Sequence, residues 1–515
     1  MLKKPRFYIF LALGLGLFYF GLLAALKFRV NEFLAKQQKE GIVVDHDGLQ
    51  LQLMEGSVHF EQPRVTLSKA AQLGYVGTMA LDHIDIQNID YSRLLFSGDL
   101  NIQSIALRHI QANLKTDNTA NSSGDGNSGM DEKMGFTIKL KHLILEKLQL
   151  TVDEGETKER LLTLQNFDLD IADIEVSNRT LAHFIPFIGQ DYTLASDSIF
   201  IKATPYENLQ IAGITGTDEN TTVRDIHFNT VLPVARYDRQ LQKERDHYQI
   251  MVDSIEFKQL GMQRGINDQI LFSADRINFI TAEAEIYRNK LLPDQGKVKP
   301  LYGTLLRNTP LALSIDTLAM KQVDLRYSEK SKKEGDIGVL EFRAMSVLME
   351  RLGNAYTKET KVHMETSFMG AAPLKAYWVF GVQDTEDTFT FKGELHNFPL
   401  QQLNPFTGPY ADTELTGTMN SLYFSIYGDP HSAEMDMRSR YDDVKIYLLK
   451  SDTNQRKKLV SALVNIFVNR DSKQKDVDYD VISVTVERDS TKSPWNFIYK
   501  NIEAGLRKML LVIRL

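Results

Sequence analysis

The residues that could do chemistry in this chain are few and poorly grouped. His46 stands between two carboxylates in Val44-Asp45-His46-Asp47, which puts three potential metal ligands in a row. An ion needs donors that converge on one point, and a solvated turn ahead of the first strand accounts for the same residues. Tyr441-Asp442-Asp443 and Asp476-Val477-Asp478-Tyr479-Asp480 bring carboxylates close in sequence. A general acid–base pair needs carboxyls within reach of one substrate. Neighbours on a strand face opposite sides, so surface charge is the simpler reading. With no cysteine in 515 residues, disulfides, thiol catalysis and thiolate metal sites are excluded. The chain has no phosphate-binding Gly-rich loop, no G-x-S-x-G and no H-E-x-x-H. The expectation is a protein that is not an enzyme and needs no cofactor or metal.

Charge excludes another class. The net charge is −7 and the eleven histidines are scattered. No strongly basic face is implied, so nucleic acid is not an expected partner.

The elements that carry so little chemistry show a recurrent apolar pattern. One frame reads Leu100-x-Ile102-x-x-Ile105-x-Leu107-x-x-Ile110. It recurs as Ile138-x-Leu140-x-x-Leu143-x-Leu145-x-x-Leu148, as Ile250-x-Val252-x-x-Ile255-x-Phe257-x-x-Leu260, and as Leu313-x-Ile315-x-x-Leu318-x-Met320-x-x-Val323. Period two within each block is the mark of a strand. A slip of one residue would turn every later side chain to the other face. A β-bulge or tight bend at each x-x pair restores the facing. The frame therefore predicts bent strands that keep one apolar face. The copies are unevenly spaced, which argues against a short-period solenoid.

Around this β region lie other elements. Residues 7–26 form an uncharged run preceded by Lys3, Lys4 and Arg6. About 20 apolar residues span a bilayer core, and the run is longer than the apolar part of a typical cleaved signal. A transmembrane anchor is expected there, with a juxtamembrane helix over 27–41. Residues 115–136 are polar and rich in Gly, Ser, Asn and Asp, as a mobile loop would be. Residues 240–247 and 328–336 read as charged surface connections. After three strands over 362–398 and two more over 415–450, a helix is expected near 456–468 and a last strand over 477–489. Residues 493–515 form an amphipathic helix capped by Ser493 and started by Pro494. Trp495, Ile498, Ile502, Leu506, Met509 and Ile513 share its apolar stripe, and Lys500, Arg507, Lys508 and Arg514 flank it. That stripe fits either a cap over the end of the sheet or an interfacial helix on anionic lipid.

Together these features resemble the AsmA-like family. The resemblance rests on the anchor, the segment "IDYSRLLFSGDLNIQSIALRHIQANL", the segment "LQQLNPFTGPYADTELTGTMNSLYFSIYGD" with Leu403-Asn404-Pro405 and Leu415-x-Gly417, and "AEMDMRSRYDDVKIYLL". It implies a long curved antiparallel β-sheet with an apolar interior, held in the bacterial inner membrane through residues 7–26 and projecting into the periplasm. It implies phospholipid movement between membranes and outer-membrane homeostasis, with membrane phospholipids as partners and an outer-membrane or envelope partner at the far end. The family has no short catalytic motif. Residues 42–400 would be the repetitive β-groove and 401–515 the C-terminal β region with terminal helices. The frame residues, Leu100 to Leu107, Ile138 to Leu145, Ile250 to Phe257 and Leu313 to Met320, would line the groove. Two readings of that lining remain open: a wall wetted by lipid tails, or the core of a closed sandwich in a non-transporting scaffold or assembly factor.

Overall fold

The computed structural model describes residues 41–52, 55–71, 74–90, 100–117, 138–176, 188–264, 270–449 and 479–510. The expected anchor at 7–26, the helix expected near 456–468 and Ile513 lie outside them, as does nearly all of the 27–41 helix and of the 115–136 loop. The described chain is mainly β, with few helices. Its contacts divide it into two units. One holds the residues up to Lys202 together with Gln210–Asp218, and the other holds Ala203–Leu209 and Glu219–Leu515. The boundary expected at 400 falls inside the second unit.

The first unit contains β1 (Ile42–Asp45), β2 (Gly48–Gln52), β3 (Ser57–Glu61), β4 (Arg64–Leu67), β5 (Tyr75–Ala80), β6 (His83–Ile89), β7 (Leu100–Arg108), β8 (Gln111–Thr116), β9 (Ile138–Asp153), β10 (Arg160–Val176), β11 (Ile188–Ser196), β12 (Ser198–Lys202) and most of β13 (Glu207–Thr217). β2 and β3 form the hairpin expected from their alternation. β8 runs to Thr116, two residues into the segment expected to be loop. β9 is the axis of this unit. It pairs in parallel with β7 and then with β8, and antiparallel with β10 on its other edge.

The second unit continues with β14 (Asn220–Thr230), β15 (Asp246–Lys258), β16 (Gly261–Arg264), β17 (Ile270–Asn289), β18 (Ala312–Lys330), β19 (Gly338–Leu352), β20 (Thr360–Phe368), β21 (Ala372–Phe380), β22 (Phe389–Pro399), β23 (Thr413–Gly428), β24 (Ser432–Leu448) and β25 (Asp480–Glu487). Pairing runs in sequence from β17 to β25 and is antiparallel except between β17 and β18, which are parallel over their full length. The sheet is therefore mixed where an antiparallel one was expected. A parallel pair needs a long return crossover, and residues 290–311 supply it here. β18 also takes in residues 328–330, which had read as connection.

Among the described residues four α-helices accompany these strands: α1 (Val234–Gln240), α2 (Tyr302–Arg307), α3 (Asn404–Ala411) and α4 (Pro494–Leu510). The first three are too short to show a helical period in sequence. α4 starts as expected, with the Asn496 amide donating to Ser493 Oγ at 3.2 Å. Among the described residues no helix is long and apolar enough to cross a membrane.

The second slip of each frame is a bulge, and the four share one conformation. His109, Lys147, Gln259 and Gln322 occupy the same place in the four frames, and each has φ between 50° and 54°. In the first and third copies this residue separates two strands; in the second and fourth it sits inside one long strand. Left-handed backbone is unfavourable for a residue with a Cβ, so the rest of the sheet must hold it. Neighbouring strands carry matching bulges. Asp225 on β14 faces the slip at Asp253, and Thr281 on β17 lies beside Gln322 on β18. The Lys147 amide also donates to Asp168 Oδ1 at 2.7 Å, and the Ala344 amide donates to Asp324 Oδ1 at 2.7 Å, so carboxylates take up amides that the ladder leaves unpaired.

Candidate functional site

Directly paired residues share a face, so strand register shows which side chains form a continuous surface. In the first unit one row reads Leu49–Phe60–Ile84–Leu107–Leu145–Leu169–Leu194–Gly216. The next reads Leu51–Val58–Ile86–Ile105–Leu143–Ile171. The first two frames lie side by side, Leu100 on Ile138, Ile102 on Leu140, Ile105 on Leu143 and Leu107 on Leu145. Ile102, Leu140 and Ile174 are buried together, while Leu100, Ile105, Leu143 and Ile171 pack against them only half-buried.

In the second unit the rows are longer. One runs Val223–Ile255–Phe279–Met320–Val347–Met364–Ala376–Gly393–Phe424–Met437–Ile482, without a polar side chain over eleven strands. Beside it runs Phe257–Ile277–Leu318–Met349–Val362–Trp378–Phe391–Ile426–Met435–Val484. The third and fourth frames therefore share a face, but β17 lies between them. Ile250 and Val252 continue that face through Ala284 and Ala282 to Leu325 and Val323. Leu313 and Ile315 meet Phe272 and Ala274.

The two ends of these rows differ in what covers them. At the β23–β25 end α4 lies on the sheet, and Ile426, Met435 and Met437 are almost completely buried. Gly505 permits this approach, because a Cβ there would stand 2.2 Å from the Met435 methyl. Gly393 likewise leaves space for the Phe424 ring. Ile498 is 4% exposed and Met509 2%, with Ile502 and Leu506 half-buried, so the stripe of α4 is turned to the strands. Trp495 is the exception at 46%, and it meets Trp378 edge-on at 5.1 Å. α3 packs on β18, β19 and β23, and Tyr302 of α2 stands on Trp378 at 5.2 Å. At the β15–β18 end Ala274, Ile277, Ile315 and Leu318 are buried, but Ile255, Phe257, Phe279, Leu313 and Met320 are only half-buried.

The apolar face has a graded border. Moving along the strands from Ile250–Ala284–Leu325, the next row on the same face is Tyr248–Ile286–Tyr327 and the one after is Asp246–Arg288–Glu329. Burial and the neighbouring Asp246 carboxylate push the Tyr248 hydroxyl up to about 12. Burial, then Glu329, raises that of Tyr327 further. Both phenols stay protonated as donors. The Arg288 guanidinium grips Asp246 with bonds of 2.5 and 2.6 Å, which overcome the cost of burial and raise its pKa.

The opposite faces are polar. In the first unit His59 Nδ1 lies 2.5 Å from Asp85, His109 Nδ1 3.1 Å from Asp82 and His142 Nδ1 3.2 Å from Asp170. In the second, Tyr237 of α1 is buried against His247 and its hydroxyl donates to the Asp246 carbonyl at 3.0 Å. The residues first weighed for chemistry do not converge. His46 lies edge-on to Phe60 at 5.5 Å, Asp443 is a left-handed bulge residue and Tyr441 donates to Asp480 at 2.8 Å. Among the described residues no group of three or more ligand-type side chains could hold a metal.

Sequence reasoning missed β10 and β17 as parts of the apolar face. Both carry the frame: Leu162-x-Leu164-x-x-Phe167-x-Leu169 on one, and Phe272-x-Ala274-x-x-Ile277-x-Phe279-x-x-Ala282 on the other. Scoring alanine as apolar would have found β17. No protein-family model matches the chain, and no curated protein matches it.

Proposed function

We propose that the protein is an AsmA-like envelope protein that shelters lipid acyl chains. In this reading residues 7–26 hold it in the bacterial inner membrane and the bulk of the chain stands in the periplasm. Phospholipid tails move along its apolar faces toward the outer membrane, where an envelope partner receives them. The chain acts as a surface and catalyses nothing. A methylene that leaves water gains about 0.8 kcal/mol, so an apolar path lowers the barrier to transfer without specific contacts. The frame residues from Leu100 to Met320 are its lining.

The observation that carries this reading is the row from Val223 to Ile482. It is one apolar face, covered by α4 at one end and left half-exposed over Ile255, Phe279 and Met320 at the other. The sealed end favours a second reading for that part of the chain, as a scaffold or assembly factor for outer-membrane biogenesis.

Mass spectrometry of lipid retained by the full chain tests the proposal, with purification in a mild detergent and extensive washing. Several phospholipids per folded chain are expected. A folded chain that retains none leaves the scaffold reading.

A further inference from the structure

At the edge of the second unit's apolar face the crossover from β17 to β18 meets the segment that leads into β15. The Glu244 amide donates to the Pro293 carbonyl at 2.8 Å, and Gln295 Nε2 donates to the Glu244 carbonyl at 3.1 Å. Between the two segments and the strand ends lies a cavity of about 170 Å³, whose lining holds Tyr248, the cations Arg245, Arg288 and Lys299 and the carboxylates Glu244, Asp246 and Asp294. It adjoins the ionic row that borders the apolar face. From Ile250 to Asp246 is four residues of strand, about 14 Å at 3.4 Å per residue, over which the surface passes from hydrocarbon to tyrosine to charge.

The charges around this cavity are unequally matched. Asp246 is taken by Arg288, Glu244 by Lys290 at 3.3 Å, Asp294 by Lys492 at 2.5 Å, and Glu207 by Arg245 at 2.5 Å. Each carboxylate thus has its own cation. Lys299 remains, with no carboxylate in ion-pair range among the described residues, although its charge is felt at Asp294. Its backbone is pinned, the amide donating to the Ser490 carbonyl at 2.8 Å and the carbonyl accepting from Arg488 Nη2 at 2.5 Å. Arg488, which is not part of the cavity lining, helps to fix that backbone. It donates only to the carbonyls of Lys299 and Pro430, and its Nε is buried without a partner. A lysine in excess of the matched pairs, on the wall of a cavity that also presents the Tyr248 hydroxyl, fits an anion with several acceptor oxygens.

We propose that this cavity takes the phosphate group of a phospholipid whose tails lie on the adjoining apolar face, with Lys299 as its principal cation. The assignment of tails to that face rests on the lipid-sheltering reading; the fit of a phosphate to the cavity does not.

The test uses the full chain in a non-ionic detergent and two lipids with identical tails, phosphatidic acid and diacylglycerol, which differ only by the phosphate. The wild type should retain phosphatidic acid about tenfold better, the scale of one charge-assisted hydrogen bond. Lys299→Gln and Lys299→Glu should remove that preference and leave diacylglycerol retention unchanged. Inorganic phosphate, followed by its phosphorus-31 line width, should bind the wild type and not the variants. Equal retention of both lipids with phosphate binding intact would make free phosphate the ligand and overturn the headgroup assignment. No preference and no phosphate binding in the wild type, or a preference that survives both substitutions, would overturn the site. If neither lipid is retained, the sheltering reading fails, and the phosphate line width alone decides whether the cavity binds an anion.

Discussion

Ile255 and Met437 lie on one register row and differ in their cover, which makes them a matched pair for asking whether the face is open. Ile255 is half-buried between Val223 and Phe279, and Met437 is 1% exposed beneath α4. Replacing Ile255 with Asp removes part of one aliphatic burial, about 1–2 kcal/mol of the 1.5–3 kcal/mol for a full one. The new carboxylate keeps its water through the open side, so no ionisation penalty adds to this. Met437→Asp buries a charge with no partner, and such a group costs several kcal/mol or stays protonated. A loss above about 4 kcal/mol, or failure to fold, is expected there. Both residues belong to the same unit, so they report on the same transition. The assay is equilibrium denaturation of the full chain in detergent, followed by far-ultraviolet circular dichroism and by the emission of the two tryptophans, both of which sit in that unit. If Ile255→Asp costs as much as Met437→Asp, the row is sealed along its length and the reasoning from its exposure is refuted.

Other perturbations test the packing. Gln322→Val places a β-branched residue at φ 54° and should cost about 1–2 kcal/mol in a denaturation midpoint, whereas Gln322→Gly should cost nothing or stabilise; the opposite order would contradict the bulge assignment. Deleting residues 493–515 uncovers Met435, Met437 and Phe424, so the second unit should lose its cooperative unfolding transition, and an unchanged transition would contradict the capping role of α4. The Lys492 ammonium, then the Gly296 amide, lower the Asp294 carboxyl from 3.8 to about 2. A depressed carboxylate stabilises above its unfolded value and loses that contribution as pH falls through the folded one, so stability should decline between about pH 4 and pH 2. Asp294→Asn should flatten that limb of a pH titration, and an unaltered limb would place the acid sensitivity elsewhere.

Much of the architecture was legible because period-two alternation depends only on side-chain polarity. The four frames became strands, the second x-x pair of each became a bulge, and Ser493 became a cap. The left-handed residue of the second slip was hidden, because Lys147, Gln259 and Gln322 are not residue types that mark positive φ and His109 alone does so weakly. The sheet imposes that conformation through pairing between strands. β17 was hidden because alanine fills positions that leucine, isoleucine or valine hold in the other frames. The parallel pairs β7–β9 and β17–β18 depend on where a crossover returns, which alternation does not encode. The charged border could not be read either. Lys492 and Asp294 are 198 residues apart, and only the fold brings them to 2.5 Å.

The central claim is that tails rest on the half-exposed part of the apolar rows. Photo-crosslinking tests it directly, with a phospholipid that carries a photoactivatable group near the end of one acyl chain. After irradiation of the full chain in native-like membranes, peptide mass spectrometry should place the adducts on the strands bearing Ile255, Phe279 and Met320 and on those bearing Ile105 and Leu143, with none on Met435 or Met437. Adducts confined to residues 7–26, or spread over the polar faces, would contradict the account.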